Sequence, residues 1–159
     1  MNDTEPVQRA HAAALRYLSY RPRSEAEVRA RLRRRYSDAL VEQVLELLKD
    51  ESMVDDARFA VQWRDSRSAN SPRSAWAVKR ELIAKGVDTG VAQEAVQGID
   101  DGEGAYRAGL KQARRYDNAD LTTFRRRLMD YLRRRGYSAS VSRNTIDRLW
   151  EELGGEPEL

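Results

Sequence analysis

Leucines recur at a fixed interval along the chain. Leu32, Leu82 and Leu132 are spaced by 50 residues, and each has an apolar partner four positions earlier, Val28, Val78 and Leu128. Apolar residues at i and i+4 share one face of a helix, so each pair closes an amphipathic helix. A turn follows each: Arg33-Arg34-Arg35-Tyr36-Ser37, Ile83-Ala84-Lys85-Gly86-Val87-Asp88 and Arg133-Arg134-Arg135-Gly136-Tyr137-Ser138. A second amphipathic stretch comes next, anchored by Leu40/Val44/Leu48, Val91/Ala95/Ile99 and Val141/Thr145/Leu149. A further helix precedes each closing leucine, with apolar faces His11/Leu15/Leu18, Phe59/Trp63 and Tyr106/Leu110. No segment alternates with period two, so no strand is predicted.

The pattern predicts an all-α protein, an elongated array of three tandem three-helix repeats. The expected limits are an N-terminal extension over 1–9, repeats over 10–56, 57–103 and 104–153, and a tail over 154–159. A repeat of this size is marginal alone, so neighbours must share burial.

Local chemistry punctuates the helices. Gly86 and Gly136 fall where a helix ends in a left-handed residue, a conformation glycine adopts without a Cβ clash. Val87 and Tyr137 then pack back on the helix just ended, while Asp88 and Ser138 cap the next one. The first repeat has no glycine before Tyr36, which predicts a tighter or strained turn. Ser24 with Glu27 forms a capping box, and Ser71-Pro72 places proline at a first helical position.

Charge changes the picture once it is partitioned. Of 159 residues, 35% are charged, yet 29 basic and 26 acidic side chains leave only +3. The first two repeats are each neutral, the segment 104–150 is +8, and the tail from Glu151 is −4. Of the basic residues 25 are Arg, the side chain that pairs bidentately with carboxylates and phosphates. In the third repeat Arg126, Arg127, Arg133 and Arg134 lie opposite Leu121, Phe124, Leu128 and Leu132. In the first, Arg33 and Arg34 point away from Val28 and Leu32. These six arginines are the candidate contacts for a partner or nucleic acid. Trp76 and Ile83 lie on the stripe opposite Val78 and Leu82, which makes them candidates for partner docking. Asp55-Asp56 is either a helix cap or a contact to a basic partner.

Catalytic chemistry is sparse. Without cysteine there is no disulfide, thiolate zinc site or cysteine nucleophile. A lone histidine, His11, excludes a multi-histidine metal site. Gly102-Glu103-Gly104 lacks the third glycine and the preceding strand of a dinucleotide loop. No metal, cofactor or catalytic residue is expected, and no run of apolar residues is long enough to span a membrane. A cytoplasmic, monomeric, non-enzymatic protein is expected.

Three segments carry a resemblance: Ser24-Glu25-Ala26-Glu27-Val28-Arg29-Ala30-Arg31-Leu32, Val54-Asp55-Asp56-Ala57-Arg58-Phe59-Ala60 and Leu132-Arg133-Arg134-Arg135-Gly136-Tyr137-Ser138. In this order they resemble the RecX family, bacterial regulators of the RecA recombinase, and the likeness spans Ala10 to Leu153. The missing glycine before Tyr36 departs from the pattern. The resemblance implies a curved, extended molecule that binds the groove of the RecA–DNA filament. There it would impede strand exchange, ATP hydrolysis and filament extension. The residues alone leave two other classes open: a stand-alone helical DNA-binding protein, and a scaffold without DNA dependence.

Overall fold

The computed structural model describes residues 4–155. Among them are nine α-helices and one 3-10 turn, with no strand. The first three helices are α1 (Thr4–Tyr20), α2 (Glu25–Leu32) and α3 (Asp38–Asp50). Next come α4 (Asp56–Asn70), α5 (Ala75–Ala84) and α6 (Thr89–Val96). The last are α7 (Asp101–Ala113), α8 (Leu121–Arg134) and α9 (Ala139–Glu152), with the 3-10 turn at Arg114–Tyr116. Each of the triplets α1–α3 and α4–α6 opens with its longest helix, of 17 and 15 residues. Residues 1–3 of the expected N-terminal extension and 156–159 of the expected acidic tail lie outside the described residues.

Contacts divide the chain into two compact units. One comprises the chain up to Trp63 with Glu81–Ala95, the other Arg64–Arg80 with the chain from Val96 onward. In the first unit, Ala10, Ala14, Val28, Leu32, Val41, Val44, Leu45 and Leu48 form a buried core. Burial on α1 therefore centres on two alanines, where the sequence pointed to His11, Leu15 and Leu18. Those three are half-buried, because alanine lets neighbouring helices approach closely and the larger side chains close over the seam. His11 Nε2 instead meets the Glu51 carboxylate at 3.0 Å.

In the second unit the core holds Phe124, Leu128, Leu132, Tyr137, Ile146 and Leu149. Here α7 packs through small residues, Gly104, Ala105, Ala108 and Gly109, all buried. A Cβ on Gly109 would stand 2.9 Å from Leu149 Cδ1, and one on Gly104 would stand 2.7 Å from the Tyr137 phenol oxygen. Those glycines thus serve helix packing. Burial pushes the Tyr137 phenol well above its ordinary pKa.

The capping predictions hold except at one helix. Ser24 and Glu27 exchange the two bonds of a capping box, 3.1 Å and 3.3 Å. Ser37 and Ser138 accept from Leu40 and Val141. Pro72, however, precedes the helix. The cap of α5 is Ser74, whose hydroxyl accepts from Ala77 N–H at 3.0 Å. Ser74 stands eight residues before Leu82, as Ser24 stands before Leu32. The turn after Leu32 is also unstrained. Its Arg33 is helical (φ −61°) and Tyr36 N–H returns to Leu32 C=O at 3.0 Å. Among the described residues the only non-glycine with positive φ is Ser52.

Candidate partner-binding surface

A joint is built twice from residues 61 apart. In the first unit, the Ser24 hydroxyl donates to the Lys85 carbonyl at 2.5 Å. In the second, Ser74 N–H donates to the Arg135 carbonyl at 3.0 Å. The left-handed glycines follow directly, Gly86 at φ +83° and Gly136 at φ +89°. Each lays its bare Cα on the start of the capped helix. A Cβ on Gly86 would collide with Ala26 Cβ, and one on Gly136 would stand 2.7 Å from Ala77 Cβ. Val87 and Tyr137, next in sequence, are buried as expected.

The acidic pairs complete this joint by dividing their labour. Asp55 accepts from Arg58 N–H at 3.1 Å and Asp100 from Glu103 N–H at 3.1 Å, so each caps its own helix. Asp56 reaches back to Glu25 N–H at 2.8 Å, and Asp101 to Ala75 N–H at 2.9 Å. These are the free amides at the starts of α2 and α5, where a carboxylate also meets the positive end of the helix dipole. Partial burial raises the Asp56 pKa, against the lowering effect of that bond.

The joint explains the missing glycine. Gly86 and Gly136 each meet the start of an earlier helix, whereas the turn after Leu32 contains no left-handed residue and needs no bare Cα. At the other end, α8 starts one turn earlier, with Asp120 accepting from Thr123 N–H at 2.8 Å. The position eight before Leu132 is Phe124, which is buried, where the other helices present a small serine.

The predicted arginines fall into different environments. Arg126, Arg127, Arg133 and Arg134 are exposed along α8, opposite buried Phe124, Leu128 and Leu132. Arg127 lies over the Tyr116 ring at 5.2 Å. No ion pair involves any of the four among the described residues. Arg33 is engaged by Asp38 at 3.2 Å, whereas Arg34 is exposed and has no ion pair among the described residues. The reason is register: Arg33 faces the start of α3, and Arg34 faces away from it. Arg135 is drawn inward, over the Tyr131 ring at 4.6 Å, with its Nη1 on the Ser71 hydroxyl. Trp76 is 60% exposed beneath Arg80, whose guanidinium is 4.8 Å from the ring. Ile83 is 42% exposed.

A basic cleft between α1 and the end of α2 was not visible in the sequence. Arg16 comes from α1, Arg31 from α2, and Arg34 and Arg35 from the turn; Tyr17 and Tyr20 lie among them, and no acid lines the cleft. The signal was present in the i, i+1 and i+4 positions of Arg16, Tyr17 and Tyr20, but only helix pairing brings Arg31 and Arg35 to them.

Among the described residues, no group of three or more His, Asp or Glu is placed to hold a metal, and no helix is long and apolar enough to cross a membrane. The architecture is that of an all-α protein whose three-helix units are joined through capped helix starts, with arginine-rich exposed faces. Comparison with known proteins specifies the class. The first three-helix domain of RecX matches residues 10–48, and the second matches residues 55–96. A regulatory protein RecX from Chlorobium limicola is 35% identical over 143 residues, covering 89% of this chain and 90% of its own. One from Mycobacterium ulcerans is 39% identical, covering 85% and 81%. The crystal structure of RecX from Lactobacillus salivarius superposes with a TM-score of 0.80 at 23% identity, over 92% of this chain and 97% of that one. The chain belongs to the RecX family of regulatory proteins.

Proposed function

We propose that this chain is a monomeric, non-enzymatic regulator that binds the groove of the RecA–DNA filament and inhibits strand exchange, ATP hydrolysis and filament extension. The observation that carries the reading is the exposed face of α8. Four arginines stand there without an ion pair among the described residues, in the segment that holds the chain's positive excess. Clustered like charges repel one another unless an anionic surface meets them, and a recombinase filament on DNA offers both carboxylates and phosphates. Association through several repeats adds effective concentration without demanding one tight contact. Arg34 adds a second basic position in the first repeat, and Trp76 and Ile83 offer apolar contact.

The test is reversal of Arg126, Arg127, Arg133 and Arg134 to Glu in the full chain. RecA ATPase and strand exchange are then measured against inhibitor concentration. The expected result is loss of inhibition with an unchanged helical circular dichroism spectrum. Full inhibition at the original concentration would remove the arginine face from the mechanism.

A further inference from the structure

We propose that the cleft between α1 and the end of α2 is a binding site for single-stranded nucleic acid, with Tyr20 as the base-stacking platform and Arg16, Arg31, Arg34 and Arg35 as phosphate contacts. This goes beyond the filament reading, because it requires no recombinase and uses a different surface from α8.

The cleft has a volume of about 570 Å³, within the range of about 300–1,000 Å³ typical of ligand pockets. Its charge is one-sided. Elsewhere in the first repeat arginines meet acids: Arg21 pairs with Glu27, Arg29 with Glu25 and Glu42, and Arg33 with Asp38. Of the five arginines lining the cleft, Arg23 meets Glu27 at 3.9 Å; the other four, Arg16, Arg31, Arg34 and Arg35, are exposed and make no ion pair among the described residues. Four unneutralised guanidinium groups in one concavity select a polyanion.

The tyrosines separate one polyanion from another. Tyr17 is already covered: Arg23 lies 4.0 Å over its ring and Arg31 lies 5.4 Å away. Tyr17 therefore fixes the guanidinium wall by cation–π stacking. Tyr20, three residues on and near the same face of α1, is 83% exposed. It has no hydrogen bond and no ring contact among the described residues. A flat ring held open beside arginines is the pairing that recognises unstacked bases along a phosphate backbone. Duplex DNA hides its base faces, so the site favours a single strand. An acidic protein surface would satisfy the arginines and leave the ring unused.

A second cleft supports the phosphate part independently. Between α7 and α8 in the second unit, Lys111, Arg115, Tyr131 and Arg135 line a cavity of about 270 Å³, again without an acid. There Arg135 covers the tyrosine, so this cleft offers phosphate contacts without a stacking platform.

The experiment is fluorescence anisotropy of the full chain, without recombinase, on a labelled oligothymidylate and on an abasic phosphodiester strand of equal length. The wild-type chain binds oligothymidylate more tightly. Tyr20→Ala weakens that binding about tenfold, the effect of losing one base–aromatic stack, and leaves the abasic strand unchanged. The double variant Arg34→Ala/Arg35→Ala weakens both ligands and lowers the log–log salt slope by about 0.7 for each arginine. All these side chains are exposed, and unchanged thermal melts establish that the variants fold. The inference is overturned if the free chain binds neither strand, if both variants retain wild-type affinity, or if the abasic strand binds as tightly as oligothymidylate. If the variants lose inhibition of RecA but keep oligonucleotide affinity, the cleft is a protein contact; the inference then fails while the regulatory reading stands.

Discussion

Gly86 lies with its bare Cα against Ala26, at a left-handed φ of +83°. One missing methyl group therefore does two jobs. It permits the backbone conformation that ends α5, and it admits the start of α2 beside that turn. Gly136 repeats the arrangement against Ser74 and Ala77.

Substituting Gly86 or Gly136 by alanine should cost about 3 kcal/mol. A left-handed penalty of about 1–2 kcal/mol adds to a steric one of similar size. A thermal melt by circular dichroism should then fall by roughly 6–12 °C for a chain of this size. Placing glycine in the first repeat, Arg35→Gly, should bring no gain, because that turn needs no left-handed residue. A stabilised Arg35→Gly would show that the glycine serves the turn alone and not the joint.

Asp56→Ala and Asp101→Ala should each lose about 1–2 kcal/mol, since they leave the amides of Glu25 and Ala75 without their acceptors. Asp56 adds a pH signature. Its folded-state pKa is raised, chiefly by burial, so the native state holds this proton more tightly than the unfolded chain. Its contribution is fully present below the unfolded aspartate pKa and is lost as pH rises through the folded value. Asp56→Asn should remove that decline above about pH 4, and urea melts across this range read it out. The exposed cap Asp120 has the opposite sign. Its pKa is lowered by the bonds from Thr123, so its contribution is lost as pH falls.

Neighbouring arginines in the first repeat should separate functionally. Arg33 is held by Asp38, while Arg34 opens on the basic cleft. Arg34→Ala should weaken binding to filament or nucleic acid several-fold, and Arg33→Ala should do so far less. Titration of the two single variants at one salt concentration decides this, and equal losses would contradict the division.

Trp76→Ala should change stability by no more than about 0.5 kcal/mol, as expected for an exposed side chain. Trp63 and Trp150 are half-buried, so the substitution should remove the fluorescence most readily quenched by iodide. If Trp76 docks on the filament, wild-type quenching should fall when filament is added. Unchanged quenching would exclude it from the interface.

The sequence by itself determined the helical class, the positions of the turns and most of the caps. These depend on local physics. Leu32, Leu82 and Leu132 must face a core. Gly86 and Gly136 suit a left-handed turn, and Ser24, Ser37 and Ser138 can each satisfy a free amide nearby. The arginine face of α8 was equally legible, because helical geometry alone sets Arg126 opposite Leu128.

Tertiary structure decided whatever depended on residues distant in the chain. The core seam runs through Ala10 and Ala14, because close helix approach favours the smallest side chain over the most apolar one. Ser74 caps α5 through its hydroxyl, and its N–H also donates to the carbonyl of Arg135, a contact 61 residues away that no local rule foresees. Asp55 and Asp56 look alike as a pair, yet one caps its own helix and the other caps a helix 31 residues earlier. Tyr20 ends one helix and Arg35 lies in a later turn, and only the pairing of α1 with α2 places them on one cleft. The periodicity that writes the helices carries no term for which helix ends will meet; that is settled by packing, where a missing Cβ or a carboxylate within hydrogen-bond reach determines the joint.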